Sequence, residues 1–399
     1  MIKEKDKIRL LSKDIFYDTR TAFAIRSDSE LEKAYWLFNI IKREPLVRLS
    51  TAVTNFALKY HLPVEGIIRS TVFEHFCGGV TEEDTMGVVE KLYQFGVYSI
   101  LDYSVEGAED EESFQRAFDK TKHLIEFASE RKEIPFAVFK PTGLGAFNIY
   151  EKVSSGKALE PEEKTAWDNI RRRYEILAKA AYEKRVPLMV DAEESWMQKA
   201  VDDLLEELML EFNRKFPVVV TTLQMYRRDR LEYLKELYER LQSKGVITAV
   251  KFVRGAYMEK ERERAEKLGY PSPICETKED TDKQYNEGIR FASERIKDFF
   301  IYNGTHNEES TLLLANILIE KGLPKNHPHA WFGQLYGMSD HITFNLAKYG
   351  FNTSKYIPFG PVKDVMPYLI RRAEENTSVA GQTSRELKLL EMERKRRKL

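Results

Sequence analysis

Two adjacent arginines, Arg371 and Arg372, close the segment YIPFGPVKDVMPYLIRRAEENTS, residues 356–378, which reads as a short strand, a Gly-Pro turn and a helix. Planar guanidinium forks match a carboxylate bidentately, so neighbouring forks on one helix can close on a single flat anion. A small carboxylic acid is the first ligand this suggests. The plainer reading, a solvated helix face, is common in a chain with 63 Lys plus Arg. Pro367 is expected in the first turn of that helix, where its missing N–H removes no intrahelical bond.

Lys140 ends the apolar run FAVFKPT. Burying it is costly unless an anion pairs with it, which leaves three roles: a Schiff-base amine, a third cation for the same carboxylate, or a strand-end lysine reaching solvent. The run LMVDAEE carries Asp191, Glu193 and Glu194, which could bind a metal, act as acid and base, or be ordinary loop residues; Asp191 is the strongest candidate. A catalytic metal is not indicated. The chain has seven histidines, no HExxH, and only His327, His329 and His341 close together. GLGAFN, residues 143–148, lacks the third glycine of a dinucleotide fingerprint, and neither a P-loop nor a GxSxG elbow is present.

These residues need elements to position them. From about residue 97, eight short apolar runs alternate with charged amphipathic segments: VYSILDYS, FAVFKPT, PLMVDAE, VVVTTLQMY, TAVKFVRGA, FFIYNGTHN, WFGQLYG and KYIPFG. Repeated βα units of that number predict a (β/α)8 barrel of the TIM type over residues 97–380, with the polar run ends Lys140, Asp191, Gln224, Arg254, His306 and Gln334 on one face. Residues 1–96 read as a helical arm, with a helix stopping before Pro45 and another opening on a Thr81/Asp84 capping box. Residues 381–399 form a basic tail, read mainly as a solvated helix that could touch an anionic membrane surface or another chain.

Composition narrows the class. A net charge of -1 with 42% hydrophobic residues argues for a globular protein and against nucleic acid as a partner. Cys77 and Cys275 are too few for a disulfide framework and suit a reducing compartment. The start MIKEKDKIRL shows no secretory or transit signal, and no run approaches the length of a membrane span, so a cytoplasmic location is expected.

Taken together, FKPTGLG (139–145), MVDAEE (189–194), LQMYRRD (223–229), VKFVRGAYMEKERERAEKLGY (250–270), GTHN (304–307), WFGQLYGMSD (331–340) and KYIPFGPVKDVMPYLIRRAEENTS (355–378) resemble the proline dehydrogenase family, in family order. LDYSVEG (101–107) fits its first strand, and the GAYMEKERERAEKLGY stretch looks like the monofunctional, eukaryote-type branch. The resemblance implies FAD-dependent oxidation of L-proline to Δ1-pyrroline-5-carboxylate, by hydride transfer from proline C5 to flavin N5, the first step of proline catabolism, with electrons passed to quinone. It implies that Arg371, Arg372 and Lys140 hold the substrate carboxylate, that Tyr356 and Tyr368 line the pocket, and that Asp191 organises its hydrogen bonds. Non-covalent FAD would meet Ala192, Gln224, Arg254, Gly255, Ala256, Thr305, His306 and Gln334. Lys251 stands near flavin N5 where many bacterial relatives carry arginine, so the charge is kept and the fork lost. Quinone as acceptor makes peripheral contact with the inner face of the cytoplasmic membrane an expectation, and a homo-oligomer is compatible with the sequence. Two rivals share these residues: hydroxyproline as substrate, which the bulk of Tyr356 disfavours, and a cofactor-free lyase forming a Schiff base on Lys140.

Overall fold

The computed structural model describes residues 10–41, 72–104, 110–378 and 382–399. Strands β1 (Val97–Tyr103), β2 (Ala137–Phe139), β3 (Leu188–Val190), β4 (Val219–Gln224), β5 (Thr248–Val253), β6 (Phe299–Gly304), β7 (Ala330–Leu335) and β8 (Thr353–Phe359) fall inside the eight predicted runs or within two residues of them. All neighbours pair in parallel, in the order β1-β8-β7-β6-β5-β4-β3-β2. A parallel bridge between Ile100 and Phe136 joins β1 to β2, so the sheet curls into the expected barrel.

Strands buried on both faces explain the unbroken apolar runs. One parity of side chains fills the barrel: Ile100, Phe136, Val138, Met189, Val220, Ala249, Phe300, Tyr302 and Tyr356 form one cluster. The opposite parity meets the helices, as with Phe139, Leu188 and Val190 against Tyr174 and Leu177, or Phe252 and Ile301 against Tyr285 and Ile289. Gly333 is required in the interior, because a β-carbon there would lie 1.8 Å from the Tyr302 hydroxyl.

The helix Glu82–Tyr93 opens on the predicted capping box, in which Thr81 accepts from the Asp84 amide at 3.2 Å and Asp84 accepts from the Thr81 amide at 3.1 Å. The helix Asp28–Ile41 forms where the arm was expected to be helical, and its predicted end before Pro45 lies outside the described residues. Two expectations are corrected. Pro367 does not sit in a first turn: the helix runs Val362–Ser378 and continues through the proline, with Val365 and Leu369 anchored in an apolar cluster with Phe73, Phe76 and Met338. Nor is the tail a solvated helix. Gln382–Arg397 buries Leu387, Leu389 and Leu390 against Ala22, Phe23, Leu31, Ala34 and Phe38 of the arm. Three of its arginines are answered by acids, Arg394 by Glu32, Arg397 by Asp28 and Glu393, and Arg385 by Glu308, while Lys388, Lys395 and Lys398 are exposed.

Candidate functional site

Strand parity carries the barrel interior up to its C-terminal rim. Two residues beyond Ile100, Val138, Met189 and Ala249 stand Asp102, Lys140, Asp191 and Lys251, and Tyr356 faces them from β8. The Lys140 ammonium donates to both Asp102 oxygens at 2.8 Å and lies 3.9 Å from Asp191. Lys251 donates to Asp191 Oδ1 at 2.5 Å, the Tyr356 hydroxyl donates to Asp191 Oδ2 at 2.7 Å, and the Lys251 ammonium sits 4.6 Å from the Tyr356 ring centroid. Two acids and two ammonium groups thus balance in one bonded layer, the condition under which buried charges are tolerated.

Burial by itself would raise the Asp191 carboxyl, but the Lys251 and Lys140 charges and the bonds from Lys251 and Tyr356 outweigh it and hold the group below its ordinary range. Burial, then the nearby Asp102 and Asp191, pushes Tyr356 far above the ordinary phenol value, so it remains a donor. Asp191 therefore stands as a fixed anion rather than a proton carrier at neutral pH.

A second group of predicted residues rings the same rim. Gln224, on β4, donates to the Ala192 carbonyl at 3.3 Å. Arg254, just past β5, binds Asp282 through Nε at 2.8 Å and Nη2 at 2.6 Å, and reaches Thr305 Oγ1 at 2.6 Å and Ser310 Oγ at 3.0 Å. Gly255 takes φ 131, and a β-carbon on it would strike the Tyr226 ring at 2.5 Å, so its backbone is left bare beside Arg254. Ala256 follows on the surface. His306 pairs through Nδ1 with Ser339 Oγ at 2.9 Å; burial, followed by the Lys355 and Arg372 charges, lowers it to about 3 and keeps it neutral.

Gln334 has the outward parity of β7. Its amide donates to the Thr305 carbonyl at 3.0 Å and accepts from Thr343 at 2.7 Å, so it supports the Thr305–His306 turn from behind. Above the rim, Arg372 is buried with its guanidinium 5.3 Å from the Tyr368 ring, and Arg371 is partly exposed. Arg372 is close enough to His306 to act on its titration, which brings the helix Val362–Ser378 to this face of the barrel.

Glu193, beside Asp191, has a structural part of its own. It accepts from the Thr142 amide at 2.9 Å and hydroxyl at 2.8 Å, tying the β2 and β3 ends together. Burial raises its carboxyl from 4.5 to about 7. The folded protein then holds a proton that the unfolded chain has released, so this group's contribution is full below pH 4.5 and is lost as pH rises to about 7. Glu193→Gln, which keeps an acceptor and a donor toward Thr142, is expected to flatten that loss, worth on the order of 3 kcal/mol. Urea midpoints measured from pH 5 to 8 check this; parallel curves for the two proteins would contradict it.

Sequence reading missed Asp102, the partner of Lys140, because the two face each other only across the closure of the ring. It also missed Lys355, fully buried with outward parity, which donates to the Met338 carbonyl and binds Asp340 at 2.9 Å. Asp340 also takes Arg26 of the arm at 2.8 Å. The histidines proposed as neighbours divide: His327 and His329 build a turn, whereas His341 meets Glu308 at 3.0 Å elsewhere. Among the described residues, the one group able to offer three metal ligands is Glu82, Glu83 and His123, on the helices Glu82–Tyr93 and Glu111–Ser129 outside the barrel.

Comparison with known proteins gives a consistent picture. The family model described as proline dehydrogenase matches residues 85–385. The carbapenem antibiotics biosynthesis protein CarD of Pectobacterium carotovorum subsp. carotovorum is 38% identical over 351 residues, covering 88% of this chain and 91% of that protein. Proline dehydrogenase 1, mitochondrial, of Arabidopsis thaliana is 32% identical over 84% of this chain and 76% of its own length. Among solved structures, proline utilization A from Bdellovibrio bacteriovorus, inactivated by N-propargylglycine, superposes with a TM-score of 0.72 at 22% identity. The match covers 98% of this chain but 42% of that one, and bears on fold alone.

Proposed function

The chain belongs to the proline dehydrogenase family, and from that premise we propose that it oxidises L-proline to Δ1-pyrroline-5-carboxylate, using non-covalently held FAD and passing electrons to quinone. The observation that carries this reading is the bonded layer of Asp102, Lys140, Asp191, Lys251 and Tyr356 at the barrel rim, faced by a helix with buried Arg372.

The rim fits a flavin nucleotide without a Rossmann motif. Gln224 Oε1 is buried with no hydrogen-bond partner among the described residues, an acceptor suited to a ring N–H such as a flavin carries. Bare backbone at Gly255, beside the Arg254 fork and Thr305, suits a pyrophosphate. Ala192, Ala256 and His306 would complete the contacts, with Gln334 acting through Thr305. When bound, FAD supplies the hydride acceptor.

The protein's own groups supply binding and orientation. Arg371 and Arg372, joined by Lys140, would grip the proline carboxylate, and Tyr368 would hold the Arg372 fork in plane. Asp191 fixes Lys251 and Tyr356, so that a cation and a rigid phenol ring wall meet the substrate without reorganisation. The Tyr356 ring also limits substituents on the substrate, favouring proline over hydroxyproline. The lyase alternative asks Lys140 to be a nucleophile, yet its amine is committed as a donor to Asp102. Quinone as acceptor implies a peripheral membrane visit by a cytoplasmic protein. No described helix is long and apolar enough to cross a membrane. A homo-oligomer is compatible with this reading.

Anaerobic addition of L-proline to the purified yellow protein should bleach its visible flavin band. A colourless protein, or a flavin spectrum indifferent to proline, would sink the reading.

A further inference from the structure

The turn after β7, residues 336–339, is held from outside the barrel at nearly every step. His75 Nε2 bonds the Gly337 carbonyl at 2.9 Å, Lys355 donates to the Met338 carbonyl, and Asp340 is gripped by Arg26 at 2.8 Å and Lys355 at 2.9 Å. A further tie comes from the C-terminal helix. The Ser339 amide donates to Glu386, a carboxylate 3% exposed and flanked in sequence by the anchored Leu387. Around Glu386 stand His341, with Nδ1 at 3.9 Å, and Arg385, which is turned to Glu308 at 2.8 Å.

Ser339 adopts φ 51 and ψ 40, a left-handed conformation that costs a non-glycine residue about 1 kcal/mol or more and persists only when its surroundings impose it. That conformation sets Ser339 Oγ 2.9 Å from His306 Nδ1. We propose that Glu386 is a positioning residue for His306: by accepting the Ser339 N–H it holds the left-handed turn that places Ser339 Oγ against the imidazole and fixes the ring's orientation. The C-terminal helix is then part of the site's support rather than an appendage. That His306 touches the flavin rests on the function proposed above; its linkage to Glu386 does not.

The test uses the full-length flavoprotein with nitrogen-15-labelled histidine, His306 being assigned by a His306→Asn variant. In long-range imidazole spectra the wild type should show one sharp set of neutral ring signals at His306. Glu386→Ala should shift and broaden the His306 ring signals as the Ser339 hydroxyl moves away, with kcat/KM for proline down roughly tenfold, the effect of losing one charge-assisted bond. Glu386→Gln, which keeps an acceptor oxygen, should match the wild type. Should Glu386→Ala fail to fold, Ser339→Ala, which removes only the hydroxyl, is expected to disturb the His306 ring signals in the same way. Unchanged His306 signals in whichever of these folds would overturn the proposal, as would Glu386→Gln behaving like Glu386→Ala. Because the imidazole readout needs neither proline nor turnover, a protein that keeps this linkage but ignores proline would refute the proposed reaction and leave the linkage standing.

Discussion

Replacing Asp191 by asparagine is expected to destabilise the fold by about 3–5 kcal/mol and to remove proline oxidation, the two losses sharing one cause. Asp191 answers Lys251 at 2.5 Å and Tyr356 at 2.7 Å, with Lys140 at 3.9 Å. With a neutral amide in its place, Lys140 keeps the Asp102 carboxylate while Lys251 loses the anion it binds at 2.5 Å. Deleting one partner of a buried pair costs far more than the intact pair contributes, because the orphaned charge keeps its desolvation penalty. A second change isolates that term: Asp191→Asn with Lys251→Met should regain much of the lost stability while remaining inactive. Denaturant unfolding of the three variants forms the necessary cycle. If Asp191→Asn unfolds with the wild-type midpoint, the four charges do not form the cluster described.

Arg372→Ala should raise the KM for L-proline about 10–150-fold, the equivalent of about 1.5–3 kcal/mol for one hydrogen-bonded charge, with kcat less affected. Its fork is buried and lies against Tyr368, so lysine, which lacks the planar head, should recover only part of the loss. Arg371→Ala is expected to act in the same direction. Steady-state kinetics on the folded variants decide this, and a near-normal KM in Arg372→Ala would remove the arginine from the carboxylate site.

The barrel was readable in the sequence because strands buried on both faces must be continuously apolar, and because each run ends in the polar residue that the rim requires. Lys251, inside the run TAVKFVRGA, came only with the family resemblance, whereas Lys140 and Asp191 could be placed by that rule. Contacts between elements far apart in the chain could not. Asp102 looks like any acid in LDYSVEG until the bridge between Ile100 and Phe136 closes the ring and sets it opposite Lys140. Parity hid Lys355 and put Gln334, expected on the rim face, behind it, since one residue along a strand exchanges the interior for the helix layer and no composition signal marks the change. The tail misled for a related reason. Leu387, Leu389 and Leu390 are a weak pattern among so many charges, and their partners lie more than 300 residues earlier in the arm. Pro367 shows the limit of a local rule, because the apolar anchoring of Val365 and Leu369 carries a helix through a residue that usually marks its beginning.

The meeting of the helices Asp28–Ile41 and Gln382–Arg397 also has a bearing on how the molecule is born. On the ribosome the first of these is made more than 300 residues before the second and must wait, its leucine and phenylalanine side chains uncovered, until the second emerges. Arg26 and Glu386, which together grip the turn after β7, therefore come into register only once residue 386 has left the ribosome. Maturation of the catalytic rim should accordingly lag behind synthesis of the eight strands, and a nascent polypeptide stalled before codon 386 should display a folded barrel with an unsettled His306.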